Sequence, residues 1–363
     1  MTSVHDPRDV RIFQKECKSL VAAGYEVTLI AAGAASAIVE GVRVIGVRAP
    51  RGRLDRMLRV VPAVFLAALR LKADLYHFHD PELMPCGVLL KLFGRRVVYD
   101  VHEDLSADLL HKPWIAPVLR VPTAFAARTV EAVLSLTFDG IVITRPSLAR
   151  KFSAKKTRLV HNYPILGELL PTSDTPYRDR PEVAAYVGGG TRERGMRELV
   201  GAFGTLPPHS RLRLVIAGRI TPEPFLEELR QLPGWKRVDY LGWQNRTQVA
   251  DLLSNARFGI VMFLPIGNHI TSEPTKLFEY MSAKLPIVAS NIPHWRKVVE
   301  DGGFGRVVDP QSPEQIVAAM QGLLDDPVSA ERMGANGFAA VRSRYNWDTA
   351  ARNLLGLYDR ILS

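Results

Sequence analysis

Twelve short apolar runs alternate with stretches of helical period along the whole chain, and this alternation is what parallel sheets with crossover helices require. In the first part the runs are 26–31, 42–47, 74–78, 96–101, 140–143 and 158–160, with helical stretches at 10–23, 81–93 and 113–134. In the second part they are 183–187, 212–217, 238–241, 259–263, 286–289 and 305–308. Between the two sets, His161-Asn162-Tyr163-Pro164 ends a strand, and Pro171 to Pro181 is polar and proline-rich without period, as a linker would be. Two α/β domains follow, in keeping with 363 residues. A doubly wound domain ordinarily opens with a central strand, yet this chain starts almost at a loop and helix. The first sheet is therefore expected to lack that strand or to build it from something else, unless a start codon further upstream supplies it.

Composition narrows the class. With 47% apolar and 23% charged residues, the chain reads as globular rather than disordered. The longest near-continuous apolar stretch, Val60 to Leu69, contains Pro62 and is far short of the ~20 residues of a membrane span. Met1 to Asp6 show no basic start or apolar run of a secretory signal. Two cysteines, Cys17 and Cys86, do not make a disulfide framework or a cysteine zinc site, so a reducing, cytosolic setting is expected.

The charge is uneven. Up to Val160 there are 24 basic residues against 15 acidic; from His161 onward there are 23 against 22. A basic first part should meet something anionic. Much of the excess lies in Arg48, Arg51, Arg53, Arg56 and Arg59, just before the Val60–Leu69 stretch. That arrangement suits either an anionic bilayer surface or a solvated loop followed by a core helix. Nucleic acid is not expected, since the basic residues are not interleaved with aromatics and no recognition motif appears.

The strongest local signal is Thr271-Ser272-Glu273-Pro274-Thr275-Lys276-Leu277-Phe278-Glu279-Tyr280-Met281. A polar loop with Pro274 opens a helix whose free amides and dipole suit a phosphate. Lys276 sits in the first turn against the dipole preference, as if held for an anion. Glu279 falls on the same face, where a carboxylate could accept from the vicinal diol of a ribose. Further upstream, Tyr186-Val187-Gly188-Gly189-Gly190-Thr191-Arg192-Glu193-Arg194-Gly195 runs from a strand through three glycines into a helix with two arginines at its entry. Such glycines let backbone approach a phosphate, and the arginines bring charge-assisted donors. The stretch fits neither a Walker loop nor the dinucleotide fingerprint.

Two histidine–acid clusters, His77-Phe78-His79-Asp80-Pro81-Glu82 and Tyr99-Asp100-Val101-His102-Glu103-Asp104, fall at the carboxyl ends of strands, where open parallel sheets bind ligands. They also read as metal-ligand types, but no pair has a zincin spacing. His269 and His294 have no sequence partners and read as loop histidines. Nucleophile-based catalysis has no support, with no Gly-x-Ser-x-Gly elbow and neither cysteine in an activating context.

Taken together, these segments resemble the family 4 retaining glycosyltransferases, and the resemblance runs nearly end to end. It rests on Asp9 to Glu16, Ala22 to Leu29, His79-Asp80-Pro81-Glu82-Leu83, Tyr99 to Asp104, Gly195 to Phe203, Leu241-Gly242-Trp243, Lys276 to Met281 and Tyr345-Asn346-Trp347. It implies a GT-B fold, two Rossmann-like domains with parallel sheets facing across a cleft that closes about a linker near Asn162 and Pro164. The domains would be 1–165 on the acceptor side, a linker at 166–181, a donor domain at 182–344, and a final helix in 345–363 returning to the first.

By the same resemblance, Arg194 and Lys276 act at the diphosphate, with Gly189, Gly190 and the amides near Thr275 beside it. Glu279 binds the ribose, and His102 stands at the reaction centre. Two departures stand out. Thr271 replaces the first acid of the family's E-x7-E pattern, leaving Glu273 as a displaced carboxylate, and Gly189 stands where many members carry an arginine. The implied activity is transfer of a sugar from a nucleotide sugar, without a required metal or other cofactor. The acceptor would be lipid-linked or a polysaccharide, at the inner face of the cell membrane. The alternative is a catalytically idle scaffold of the same fold, with a nucleotide-sugar epimerase further behind.

Overall fold

The computed structural model describes every residue except His111 and Pro113, together with the side chain of Asn268. The Pro113 end of the 113–134 helical stretch thus lies outside the described residues. Contacts divide the chain into two units, Met1–Asn162 with Trp347–Ser363, and Tyr163–Asn346.

In the second unit six parallel strands form one sheet: β8 (Val183–Val187), β9 (Arg213–Ala217), β10 (Val238–Gly242), β11 (Phe258–Val261), β12 (Ile287–Ser290) and β13 (Gly305–Val308). Their order is β10-β9-β8-β11-β12-β13, so the strand order reverses between β8 and β11. That is the switch point at which doubly wound sheets open a crevice. The two strands pair only at Phe258–Ala184 and Gly259–Ala185. Beyond that pairing the Tyr280 hydroxyl stands in for the ladder, accepting from Val187 N at 2.9 Å and donating to Ile260 O at 3.2 Å. Gly259 is what lets the ring in, because a Cβ there would lie 2.3 Å from it.

The first unit holds a parallel sheet of β4 (Leu75–Phe78), β5 (Arg96–Val101), β6 (Gly140–Ile143) and β7 (Thr157–Leu159). A smaller sheet joins β1 (Thr28–Ala32) and β3 (Val42–Val47) in parallel, with β2 (Ala37–Val39) antiparallel to β3. β2 carries no sequence signal, being three residues of which two are exposed. Where a central strand would ordinarily lie, the first residues make a single parallel bridge, Thr2 to Ala31, in line with the expectation that this strand is missing or built from something else. Thr2 N donates to Ile30 O at 2.9 Å, the Met1 amine donates to His77 O at 2.6 Å, and His79 N donates to Met1 O at 3.3 Å. A cavity of about 700 Å³ remains along this seam, lined by Met1, Glu16, Leu29, Tyr76, His77 and Tyr358 among others.

The basic-apolar stretch resolves in favour of the core reading. Val60, Val61, Val64 and Ala68 are buried among Ile30, Tyr76 and Met84, so the Val61–Leu71 helix spends its apolar side on the core rather than on a bilayer. The last helix, Trp347–Leu362, packs within the first unit: Trp347 Nε1 donates to Ser19 Oγ at 2.7 Å, and Arg96 Nη1 donates to Leu362 O at 2.8 Å.

Candidate active site

The β8 and β11 ends bring two cations together in the second unit. Lys276, in the first turn of the Thr275–Ser282 helix, is buried, with Nζ 3.9 Å from the Tyr186 ring centre and 3.6 Å from where a Gly188 Cβ would be. Among the described residues Nζ has no hydrogen-bond partner. Burial and then repulsion from Arg194 push the ammonium well below its ordinary pKa, with Glu279 opposing. Arg194 turns back so that Nη1 donates to Gly189 O at 2.8 Å, and its guanidinium lies 5.4 Å over Phe263. A Cβ at Gly189 would lie 3.2 Å from that Nη1, so the space a side chain at 189 would take belongs to Arg194. Gly190 serves packing: it bridges to Ile220, and a Cβ would sit 3.0 Å from both Ile220 and Met196.

Two cations held this close, one of them buried without a partner, are a costly arrangement unless an anion joins them. The amides of Thr275 and Lys276 at the helix mouth point the same way, since they precede any intrahelical acceptor, whereas Leu277 N already donates to Pro274 O at 3.1 Å. Glu279 is partly buried and accepts from Arg246 Nη1 at 2.9 Å. Arg246 in turn grips Glu168 through Nε and Nη2 at 2.8 and 2.7 Å. Neither Arg246 nor Glu168 was signalled by the sequence, because Arg246 merely follows a helix cap and Glu168 falls within the stretch read as a linker. Glu273 is half-buried, and its charge adds to burial in raising the Tyr163 phenol. Thr271 is exposed at the end of the Gly267–Thr271 turn. Arg192, the other arginine at the helix entry, is spent on Glu228. The loop histidines do more than expected. His294 Nε2 contacts Ser272 O at 2.6 Å beside a Trp295 Nε1 donor at 2.7 Å, and His269 packs on Phe263.

In the first unit the two histidine–acid clusters converge. Asp100 is fully buried and takes Arg11 Nη2 at 2.9 Å, with His79 Nδ1 and His102 Nε2 each at 3.6 Å. His79 Nδ1 and His102 Nε2 are 3.2 Å apart. Burial pushes the Asp100 carboxyl up, but Arg11, His102 and His79 outweigh it and hold it well below the carboxylate range. Glu16, 3.0 Å from Arg11 Nε, goes the other way, raised by burial and by Asp100. Desolvation lowers His102 to about 4 and His79 to about 3, leaving both imidazoles neutral. Glu16, His77, His79 and Asp100 bring candidate ligand atoms within 4.8 Å of one another. Arg11 already supplies the positive charge that such donors would draw from an ion. The sequence contained Arg11 and Glu16 but gave no sign that they reach Asp100.

Comparison with known proteins agrees with this frame. Residues 10–162 match the glycosyl transferase 4-like domain model, and residues 173–340 match glycosyl transferases group 1. A phosphatidyl-myo-inositol mannosyltransferase of Mycobacterium leprae is 30% identical over 302 residues, covering 79% of this chain and 74% of the relative. The chain belongs to the family 4 GT-B glycosyltransferases. An alpha-D-kanosaminyltransferase of Streptomyces kanamyceticus is 28% identical over 291 residues, covering 76% of this chain and 73% of that one. Among solved structures, Anabaena HepE in complex with UDP superposes with a TM-score of 0.72 at 16% identity, covering 95% of each chain. This glycosyltransferase therefore has the two Rossmann-like domains of its family. Among its described residues no helix is long and apolar enough to cross a membrane.

Proposed function

We propose that this glycosyltransferase moves a sugar, with retention of configuration, from a nucleotide diphosphate sugar to a lipid-linked or polysaccharide acceptor, on the cytoplasmic side of an anionic membrane. The observation that carries the donor half is Lys276: a buried ammonium without a hydrogen-bond partner among the described residues, beside Arg194 and a helix mouth. Breaking the sugar–phosphate bond leaves negative charge on the diphosphate. Arg194, Lys276 and the amides at Thr275 stabilise that charge, and no step in this scheme calls on a metal. Arg246 holds Glu279 through Oε1, leaving Oε2 to accept from the ribose hydroxyls. His102, kept neutral by burial, acts at the sugar and acceptor. The UDP bound by HepE and the phosphatidylinositol named for the mycobacterial relative support the kinds of donor and acceptor.

The test is thermal stabilisation of the purified protein by a panel of nucleotide sugars, followed by donor hydrolysis and mass analysis of lipid-linked products. A shift that disappears in Glu279→Ala, together with hydrolysis, is the expected result. No shift with any donor sinks the reading, and binding without turnover leaves the idle scaffold.

A further inference from the structure

The Pro117–Ser135 helix is turned inside out. Its buried positions are Ala124, Glu131 and Ser135, small or polar, while Val118, Val121 and Phe125 are 80%, 68% and 71% exposed. Leu119, Val130 and Val133 are exposed as well. A surface helix of a globular domain puts its apolar stripe on the core; here the stripe faces out. The one acid of the helix, Glu131, is turned inward, accepting from Tyr99 Oη at 3.1 Å and Lys151 Nζ at 3.0 Å. Nothing acidic is left on the outer face, which carries Arg128.

The surface continues beyond the helix. Just before it, exposed Trp114 lies under the Arg53 guanidinium, 4.3 Å from the ring centre. Arg53 belongs to the 53–60 helical segment, where Leu54 and Leu58 are also exposed, with Arg51 and Arg59 beside them. The acid of that segment, Asp55, is already held by Arg48 at 3.1 Å and by the Arg51 amide at 2.9 Å. Exposed apolar side chains thus stand at Leu54 and Leu58, at Trp114 beneath Arg53, and along the helix to Phe125, with exposed Arg51, Arg53 and Arg128 among them and Arg59 3.7 Å from Asp55.

We infer that this face docks the enzyme on an anionic phospholipid surface, with the Pro117–Ser135 helix lying flat at the headgroup boundary. Aliphatic and aromatic side chains enter the acyl margin while the arginines meet phosphates. A second copy of the chain would bring cations against cations, so charge favours lipid. The inference rests on the membrane part of the proposed function and replaces its first candidate, the Val60–Leu69 stretch, whose apolar side lies in the core.

The test is flotation of the full chain with phosphatidylcholine vesicles and with vesicles of mixed phosphatidylcholine and phosphatidylglycerol, without donor or acceptor. The expected result is binding to the mixed vesicles only, weakened by salt. Val121→Glu with Phe125→Glu should lower that binding at least about tenfold, and Arg53→Glu several-fold. The exposed sites leave the fold intact, so these variants should keep the parent melting temperature and nucleotide-sugar binding. The docking claim is overturned if the parent ignores anionic vesicles, if the double variant binds as the parent does, or if the parent is a dimer that Phe125→Glu dissociates. Because nucleotide binding is read separately, loss of docking and loss of the transferase reading are told apart.

Discussion

Lys276 Nζ stands 3.9 Å from the centre of the Tyr186 ring, a cation laid on an aromatic face inside the second unit. A ring softens the burial of a charge but does not replace a hydrogen-bonding anion. Lys276→Met should therefore split two properties. Sugar transfer is expected to fall about a hundredfold or more, as when a charge-stabilising donor is removed. The unliganded protein should melt at a higher temperature, since an unpartnered buried ammonium is gone. Melting curves and single-turnover rates on the same preparation check both, and a drop in melting temperature would argue that the lysine is structural.

Arg246 bridges Glu168 and Glu279, so its loss should release the carboxylate proposed to bind the ribose. Arg246→Met is expected to weaken nucleotide binding about tenfold while leaving two carboxylates without their cation. Titration calorimetry with UDP or GDP reads this directly. Glu168→Gln should have a smaller effect, because Arg246 would still reach Glu279.

Removing one oxygen at the sheet's switch point should cost stability rather than chemistry. Tyr280→Phe leaves Val187 N and Ile260 O buried without the hydroxyl that served both. A loss of roughly 1–3 kcal/mol in denaturant unfolding is expected.

The neutral imidazoles of the first unit set a sign for pH. His102 and His79, lowered to about 4 and about 3 from 6.5, stay unprotonated in the fold while the unfolded chain takes up protons. Stability contributed by each is present above 6.5 and lost as pH falls from 6.5 towards those values. Glu16, raised, has the opposite slope above 4.5. Comparing the parent with His102→Asn isolates one imidazole, and the variant should lose less stability between pH 6.5 and 4. Equal slopes in unfolding experiments across that range would contradict the assignment.

Period and punctuation carried most of the architecture. The six strands of the second unit lie within a few residues of their apolar runs; the inner strands are apolar because both of their faces are buried, while the edge strands β10 and β13 carry Asp239 and exposed Arg306. The Lys276–Glu279 segment was legible because a helix entry with a misplaced lysine is a local pattern. Arg246 meeting Glu279, or Arg11 meeting Asp100, is a product of folding across tens of residues, and spacing along the chain holds no trace of it. The outward face of the Pro117–Ser135 helix was equally hidden: an apolar stripe announces a helix without saying which way it turns.

Because Trp347 to Leu362 seal against Ser19, Arg96 and Gly140, the first unit is made of two separate stretches of chain with the second unit inserted between them. A ribosome delivers those two stretches at separate moments, with all of 163–346 made in between. The early-made portion stays incompletely covered until the Trp347–Leu362 segment has followed it, whereas every part of the second unit precedes that segment along the chain.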